Sequence, residues 1–215
     1  MKILSHRGFW RKSAEKNKLA AFINSFSSGF GTETDVRDFD QKLVISHDIA
    51  TGEEMRFRDF LELAASYSGI ENLPLALNIK ADGLAQEVFE ELSHFPELDF
   101  FVFDMAVPDM RAYFAIGLPV FTRMSEVEQN PVWIDQSIGV WLDLFDSEWF
   151  DSNYLSRILS SGKRVCLVSP ELHGRPHLHF WASIFELRHH PQLMICTDFP
   201  EEAEKYFIRE STYDY

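Results

Sequence analysis

The chain has 215 residues, 46% of them hydrophobic, and a formal net charge of −14 at pH 7. This length and apolar content suit one compact domain over residues 1–215 and exclude a disordered chain. Because a strongly acidic surface repels nucleic-acid backbones and anionic bilayers, the charge counts against both as partners and favours a small-molecule substrate. The composition leaves the oligomeric state open.

Hydropathy and cysteine usage both favour a cytoplasmic location. No stretch approaches the roughly 20 apolar residues of a membrane span, and the polar Ser5, His6 and Arg7 interrupt the N-terminus where a signal peptide would be apolar. Cys166 and Cys196 lie in apolar runs, at a spacing that suggests neither a zinc site nor a redox motif. We therefore expect two small buried hydrophobic residues in a reducing compartment.

Short apolar runs alternate with amphipathic segments along the chain, a rhythm typical of βα units in a parallel sheet. The eight predicted strands cover residues 2–4, 31–36, 74–79, 99–103, 119–122, 138–142, 164–168 and 193–196. Apolar residues three and four apart predict helices over residues 18–26, 57–66, 84–93, 108–116, 154–160, 178–187 and 201–207, with at best one or two turns over residues 124–128. Eight such units predict a (β/α)8 TIM barrel, lean against the usual length of about 250 residues.

The second unit departs from this rhythm. Residues 37–46 form a pattern of strand, turn and returning strand where an immediate helix would be expected. We predict a small hairpin inserted after the second strand, which would bring His47 to the mouth of the barrel. At the other end of the chain, the polar residues 209–215 are expected to fray.

Polar residues follow the first two strands, at the barrel end where active sites of this fold lie. His6 and Arg7 follow the first strand, and Glu33 and Asp35 lie two apart on the second, so both carboxylates point to one face. The two carboxylates repel each other unless a cation lies between them, and their hard oxygen ligands suit Mg²⁺ or Ca²⁺. Taken alone, the two carboxylates would more often be an ordinary solvated pair than a metal site, and His6 would be an ordinary loop residue.

Two further positions converge on the same mouth. His47-Asp48 ends the predicted hairpin, where an ordinary hairpin end with a capping Asp is the competing interpretation. Asn78 and Lys80 lie two apart and close the otherwise apolar third strand, so they are hard to place in a packed barrel unless they face the mouth. Lys80 could neutralise a phosphoryl oxygen. The co-location of these residues favours a functional site over a set of coincidences.

The order of these residues carries a family resemblance. The motifs are His6-Arg7-Gly8, Asn17 before Leu19-Ala20-Ala21-Phe22, Glu33-Thr34-Asp35-Val36, His47-Asp48, Asn78-Ile79-Lys80 and Thr197-Asp198-Phe199-Pro200. This order resembles the glycerophosphodiester phosphodiesterase family, specifically over residues 5–48 and more loosely beyond. The resemblance implies a (β/α)8 phosphodiesterase with one divalent cation, Mg²⁺ or Ca²⁺, and two catalytic histidines, His6 and His47.

Two motifs depart from the family pattern. The family usually reads Glu-Asn before the first helix, whereas this chain reads Glu15-Lys16-Asn17, so only Asn17 is carried over. Where the family usually has Glu-x-Lys on the third strand, this chain has Asn78. The Asn78 amide oxygen can still coordinate Mg²⁺ or Ca²⁺, but it removes a negative charge and should weaken metal binding.

The seventh strand is followed by an unusual polar segment, residues 169–175. It holds Glu171, His173 and Arg175, which we interpret as a substrate-recognition loop, with a plain solvated loop as the alternative. Trp141 and Trp149 could wall the pocket or pack beneath the loop. Asp104 and Asp143, at the ends of the fourth and sixth strands, could bind substrate hydroxyls.

Residues and resemblance together predict a metal-dependent phosphodiesterase that hydrolyses a small glycerophosphodiester-like substrate to an alcohol and a phosphomonoester. One alternative, motivated by Asn78, is a catalytically weakened barrel that acts as a phosphate-ester binding or regulatory protein. Another is a lyase outcome, as in related enzymes that cleave phosphatidylinositol or sphingomyelin, although the acidic surface counts against a secreted lipid hydrolase. The predicted roles are metal binding for Glu33, Asp35 and Asn78, phosphate binding for Arg7 and Lys80, and acid-base catalysis for His6 and His47.

Overall fold

A computed structural model of the protein describes residues 1–69 and 73–208. Within these ranges the strands are β1 (Lys2–His6), β2 (Gly31–Phe39), β3 (Lys42–Ile45), β4 (Leu75–Ile79), β5 (Phe100–Phe103), β6 (Phe121–Met124), β7 (Gly139–Leu142), β8 (Arg164–Val168) and β9 (Leu193–Thr197). The helices are α1 (Leu19–Ser27), α2 (Phe57–Tyr67), α3 (Ala85–Leu92), α4 (Met110–Ala115), α5 (Ser152–Ser160), α6 (Leu178–Ile184) and α7 (Pro200–Phe207). The tail that we expected to fray, residues 209–215, lies outside the described residues.

Eight of the strands form a parallel sheet that curls into a barrel. Their order is β5-β4-β2-β1-β9-β8-β7-β6, and β3 lies off this path against β2. The two ends of the sheet meet through a single bridge between Val102 and Val120, beside a 2.9 Å hydrogen bond from Val102 N to Pro119 O. The predicted (β/α)8 barrel is therefore confirmed, and the junction of β5 with β6 is its most sparsely bonded part.

The hairpin after the second barrel strand is also confirmed. β3 pairs antiparallel with the end of β2, from Val36 opposite Ile45 to Phe39 opposite Lys42. Asp40 and Gln41 form the two-residue turn with φ of 46° and 61°, the left-handed pair that matches the twist of a tight hairpin.

The unit that follows β6 has no helix in the described structure. Residues 125–138 form turns, and Ser125 pairs only with Glu128 across the first of them. Trp133 covers this side of the barrel: its ring lies 5.6 Å from that of Phe114, and its indole N–H donates to Val107 O at 2.9 Å. The one or two helical turns expected over residues 124–128 were therefore wrong, because β6 itself extends to Met124 and a reverse turn follows at once.

Large apolar side chains fill the barrel interior, as the fold requires. Phe101 stacks on Phe121 with ring centroids 3.7 Å apart. Cys166 and Cys196 are fully buried in the same interior, and burial raises the pKa of both thiols, so their predicted role as buried hydrophobic residues is confirmed. A filled interior leaves the carboxyl end of the barrel as the place for chemistry. No helix within the described ranges is long and apolar enough to cross a membrane.

Candidate active site

His6, the last residue of β1, forms a partly buried pair with a carboxylate that directly follows the neighbouring strand. Its Nδ1 lies 2.7 Å from Oδ1 of Asp198, which directly follows β9, and its Nε2 lies 4.0 Å from Oε2 of Glu33. Burial lowers the pKa of His6, and the hydrogen bond and charge of Asp198 offset part of that effect. Because Asp198 accepts the Nδ1 proton, Nε2 is left as a proton acceptor on the Glu33 side.

Asp198 is held in place from several sides. Lys16 Nζ lies 3.7 Å from its Oδ2, and the backbone N–H of Asp198 donates to Glu171 Oε1 at 3.2 Å. Trp10 lies under Lys16, with the ammonium 4.4 Å from the ring centroid, and its indole N–H donates to His6 O at 2.9 Å. Our sequence reasoning missed this partner of His6. The available signal was an acidic residue directly after the last strand, next to the strand that carries His6.

Asp35 forms ion pairs with two cationic side chains of the site, Arg7 and Lys80. It is fully buried, and its Oδ2 accepts a 2.8 Å hydrogen bond from Asn17 Nδ2 and lies 3.0 Å from Arg7 Nε. Lys80 Nζ lies 3.3 Å from the other oxygen, Oδ1. The structure thus brings together Asp35, Arg7 and Lys80 as the sequence predicted, and it gives Asn17 a direct contact.

The backbone around Arg7 explains why the His-Arg-Gly motif accompanies a small residue on α1. Arg7 and Asn17 both adopt left-handed φ, 59° and 58°, and Asn17 N donates to Arg7 O at 2.9 Å. Gly8 has φ of 84°, and a Cβ there would lie 2.7 Å from Cβ of Ala21. A side chain on Gly8 would therefore push the loop off α1. Non-glycine residues in this conformation cost about 1–3 kcal/mol each, which is typical of functional sites.

Glu33 is also buried in the cluster, with 2% of its surface exposed. Burial, and then the charge of Asp35, raise the pKa of Glu33 to about 8, although Arg7, Lys80 and Asn78 act in the opposite direction. At neutral pH without a bound cation, Glu33 is therefore largely protonated. One carboxylate then faces two fixed cations, and this excess of positive charge favours an anion.

Three buried oxygens in this cluster fit a divalent cation. Within the described residues, Glu33 Oε2, Asp35 Oδ1 and Asn78 Oδ1 accept no hydrogen bond, although Asp35 Oδ1 forms the ion pair with Lys80. Asp35 and Asn78 lie opposite each other on β2 and β4. Two carboxylates and an amide are hard oxygen ligands of the kind that Mg²⁺ and Ca²⁺ take. No group of three or more His, Cys, Asp or Glu side chains suited to a metal occurs in the described part of the chain. Asn78 is the weakest of the three ligands because its amide oxygen carries no charge.

His47 lies apart from this cluster. It is on the loop after β3, 44% exposed, and its Nδ1 lies 2.9 Å from Oδ1 of Asp48, itself 93% exposed. The hydrogen bond from His47, then its charge, lower the pKa of Asp48, and the charges of Arg7 and Arg37 add to this, so the loop does lie on the Arg7 side of the mouth. Within the described residues no hydrogen bond or ion pair joins His47 to His6 or Glu33.

The predicted recognition segment forms a 3-10 turn, Pro170–His173, which ends at Gly174 with φ of 72°. Glu171 turns toward the barrel, where its oxygens accept hydrogen bonds from Ser169 Oγ and Thr197 Oγ1 as well as from Asp198 N. Glu171 therefore has partners within the barrel already, and its contact with substrate stays a prediction.

Other predicted pocket residues contact each other across the ends of β5 to β8. His173 Nε2 lies 2.7 Å from Asp143 Oδ1, and Arg175 donates to Leu144 O. Trp141 is buried, stacked 4.0 Å from Phe103, so it lies below the mouth. The remaining contacts are those of Asp104 with Arg123, at 2.7 Å, and of the Trp149 indole with Asp143 O, at 2.7 Å. Arg123 was not foreseen, although it lies two residues beyond the inward-facing Phe121.

Comparison with solved structures places this barrel among known ones. No protein-family model matches the chain, and no curated protein matches its sequence. The fold resembles a glycerophosphodiester phosphodiesterase from Parabacteroides distasonis, with a TM-score of 0.69 and 14% identity over 96% of each chain. It also resembles an Oleispira antarctica phosphodiesterase solved with its product sn-glycerol-3-phosphate, with a TM-score of 0.68 and 16% identity over 96% of each chain.

A chain of the tryptophan synthase complex from Pyrococcus furiosus is similar too, with a TM-score of 0.57 and 12% identity over 95% of this chain and 89% of that chain. At such identities the likeness establishes the barrel fold, which serves several chemistries. The family that the motifs resemble is thus present among the structural neighbours.

Proposed function

We propose that this chain is a metal-dependent phosphodiesterase, which hydrolyses a small glycerophosphodiester-like substrate to an alcohol and a phosphomonoester. The proposal rests on the position of the His6–Asp198 pair, in which His6 Nε2 lies 4.0 Å from Glu33 Oε2. Beside this pair, Arg7 and Lys80 both form ion pairs with Asp35. A general base next to a positively charged, oxygen-lined site suits attack on a phosphodiester. The neighbour with bound sn-glycerol-3-phosphate supports a small-molecule substrate.

The chain's own residues supply most of the chemistry. Arg7 and Lys80 would stabilise the negative charge that develops on the phosphoryl oxygens, Arg7 from the first strand and Lys80 from β4. His6 would take a proton at Nε2 while Asp198 stabilises the resulting imidazolium. His47, on its exposed loop, would protonate the leaving alkoxide once substrate draws the loop inward.

Glu33, Asp35 and Asn78 would hold one divalent cation, Mg²⁺ or Ca²⁺. When bound, the cation would polarise the phosphoryl group and offset the charge of the two carboxylates. Cation binding requires that Glu33 lose its proton. It also requires that Lys80 either move away from Asp35 Oδ1 or share this oxygen with the cation. The net charge of −14 and the two buried thiols suit a cytoplasmic enzyme that acts on neither nucleic acid nor membrane.

One structural observation favours a second candidate function, a phosphate-ester binding or regulatory barrel. His47 is 44% exposed and has no hydrogen bond or ion pair with His6 or Glu33 within the described residues, and Asn78 brings no charge to the metal. A protein that lacks a positioned acid would retain the Arg7 and Lys80 pocket without turnover.

A single assay separates the two candidates. Hydrolysis of bis(p-nitrophenyl) phosphate is measured with purified protein in EDTA and after addition of Mg²⁺, Ca²⁺ or Mn²⁺. The enzyme proposal predicts no activity in EDTA and restoration by at least one cation. Binding of glycerol 3-phosphate without hydrolysis under any of these conditions would establish the binding protein.

A further inference from the structure

Another histidine–carboxylate pair lies at the mouth, at the ends of β7 and β8, with β9 between it and the strand that carries His6. Asp143 directly follows β7, and its Oδ1 lies 2.7 Å from Nε2 of His173 in the turn after β8. Asp143 is buried, and His173 is 24% exposed at the side chain. A buried carboxylate that orients a partly exposed imidazole is the arrangement used where an imidazole must present one defined nitrogen.

The loop behind this pair is firmly held. The Glu126 carboxylate accepts hydrogen bonds from the backbone N–H groups of Phe145, Asp146 and Ser147, at 2.6 to 3.2 Å. The Trp149 indole N–H donates to Asp143 O at 2.7 Å. The pair is therefore preorganised before any ligand arrives, which lowers the entropy lost on binding.

The chemistry of His173 selects a hydroxyl as its partner. Because the Asp143 carboxylate accepts the Nε2 proton, neutral His173 carries a lone pair on Nδ1, and no partner occupies Nδ1 within the described residues. A lone pair accepts a hydrogen bond from an O–H group. It forms no hydrogen bond with a quaternary ammonium or an alkyl group, because neither has an O–H or N–H to donate.

The surroundings suit a polyol more than a plain alcohol. The Phe145 ring centroid lies 4.9 Å from that of His173, and the Arg123 guanidinium lies 5.7 Å from the same Phe145 ring. Arg123 also pairs with Asp104 at 2.7 Å. An aromatic face for C–H groups beside donors and acceptors for several hydroxyls matches a short polyhydroxylated chain or ring.

Structural links connect this pair to the reaction centre. Glu171 lies two residues before His173 and accepts from the backbone N–H of Asp198, the partner of His6. Cys166 lies in the barrel interior, and its thiol pKa is raised by burial first and also by the charges of both Glu33 and Asp143. The two carboxylates therefore border the same interior from different strands.

We propose that the Asp143–His173 pair is a specificity subsite for the second alcohol of the diester, the one esterified opposite glycerol. In this proposal, His173 Nδ1 accepts a hydrogen bond from a hydroxyl of that alcohol, which is a polyol. Asp143 is the positioning residue that sets the tautomer of His173. This inference rests on the proposed function and adds the class of alcohol that the enzyme selects.

The test uses two diesters that differ only in the hydroxyls of one alcohol, glycerophosphoglycerol and glycerophosphopropanol (the 1-propyl ester). We compare the full-length wild type with His173→Ala and with His173→Phe, which keeps a ring against Phe145 but has no nitrogen. The matched control is His179→Ala, since His179 is also paired with a carboxylate, Glu148 at 3.0 Å, but is 86% exposed. Each variant of His173 should lose about five- to tenfold in kcat/KM for the glycerol diester, which is the value of one hydrogen bond, and less than about twofold for the propanol diester.

Equal losses on both diesters, or no loss on either, would overturn the subsite. If the wild type hydrolyses neither diester, the proposed function fails, and the subsite is then judged by calorimetric titration of the same two compounds. A fivefold loss of affinity for glycerophosphoglycerol alone in His173→Ala would support the subsite. Unchanged affinity, or no binding of glycerophosphoglycerol to the wild type, would refute it.

Discussion

Replacing Glu33 by Gln should make the cation-free protein more stable at high pH. In the folded protein, burial and the Asp35 charge raise the pKa of Glu33 to about 8 from an ordinary value of 4.5. Below the lower value both folded and unfolded chains hold the proton. Between the two values only the folded chain holds it, so stability falls as pH rises and levels off above the folded pKa. The amide of Gln carries no such charge and removes this slope.

The size of the effect follows from the two pKa values. Their separation of about 3.5 units, at about 1.4 kcal/mol per unit, gives a ceiling of about 5 kcal/mol for the stability lost by the wild type between pH 4.5 and pH 9. Because Asp35 shares the cluster, the proton belongs to the pair, and we expect a difference of a few kcal/mol. In a chain of this length that corresponds to a difference in Tm of roughly 5–15 °C.

The assay is thermal or urea unfolding in EDTA at half-unit steps of pH from 4.5 to 9. The control is Glu87→Gln, which removes one exposed carboxylate of α3 from an already acidic chain. The stability curves of wild type and Glu33→Gln should converge at pH 4.5 and separate toward pH 9, with the variant above. Parallel curves across the whole range would refute the assignment of a raised pKa to Glu33.

Three further substitutions probe other parts of the site. Asp198→Asn should reduce kcat by about 10²- to 10⁴-fold and move the acidic limb of the pH–rate profile to lower pH, because His6 loses the partner that sets its tautomer and raises its pKa, while circular dichroism stays unchanged. Lys80→Met should weaken binding of glycerol 3-phosphate, measured by calorimetry, by about tenfold or more, since it removes one of two cations; an unchanged affinity would remove Lys80 from the phosphate site. Gly8→Ala should destabilise the chain by about 1–3 kcal/mol in urea unfolding, because the new Cβ meets Ala21 in a left-handed backbone, whereas an unchanged midpoint would show that the loop can shift freely.

Much of the barrel could be predicted from local pattern. Each of the eight apolar runs forms a strand, because a parallel strand covered on both faces needs a continuous apolar run. The hairpin was predictable for a similar reason, since residues 37–46 return at once as a second strand. The missing helix after β6 was not, because the covering role of Trp133 depends on contacts with α4 that are distant in sequence.

Some site residues were likewise predictable from the sequence, and others were not. Arg7, Asp35 and Lys80 lie at strand ends, where the fold class alone brings them to one mouth, and the structure joins them. Asp198 was recognised as part of a motif without a role, because its contact with His6 exists only once β9 lies beside β1. Orientation is likewise invisible to sequence, as Glu171 shows by turning inward from a segment that looks exposed.

The most direct test of the central claim is the rate of phosphodiester cleavage by His6→Ala, measured beside His47→Ala and wild type in the presence of the activating cation. If His6 is the base, kcat/KM for bis(p-nitrophenyl) phosphate should fall by about 10²- to 10⁴-fold in His6→Ala. His47→Ala should lose less activity on this substrate than on a glycerophosphodiester, because p-nitrophenolate departs without a proton from His47, and both variants should keep the wild-type fold by circular dichroism. Wild-type rates in His6→Ala would contradict a phosphodiesterase site built around the His6–Asp198 pair.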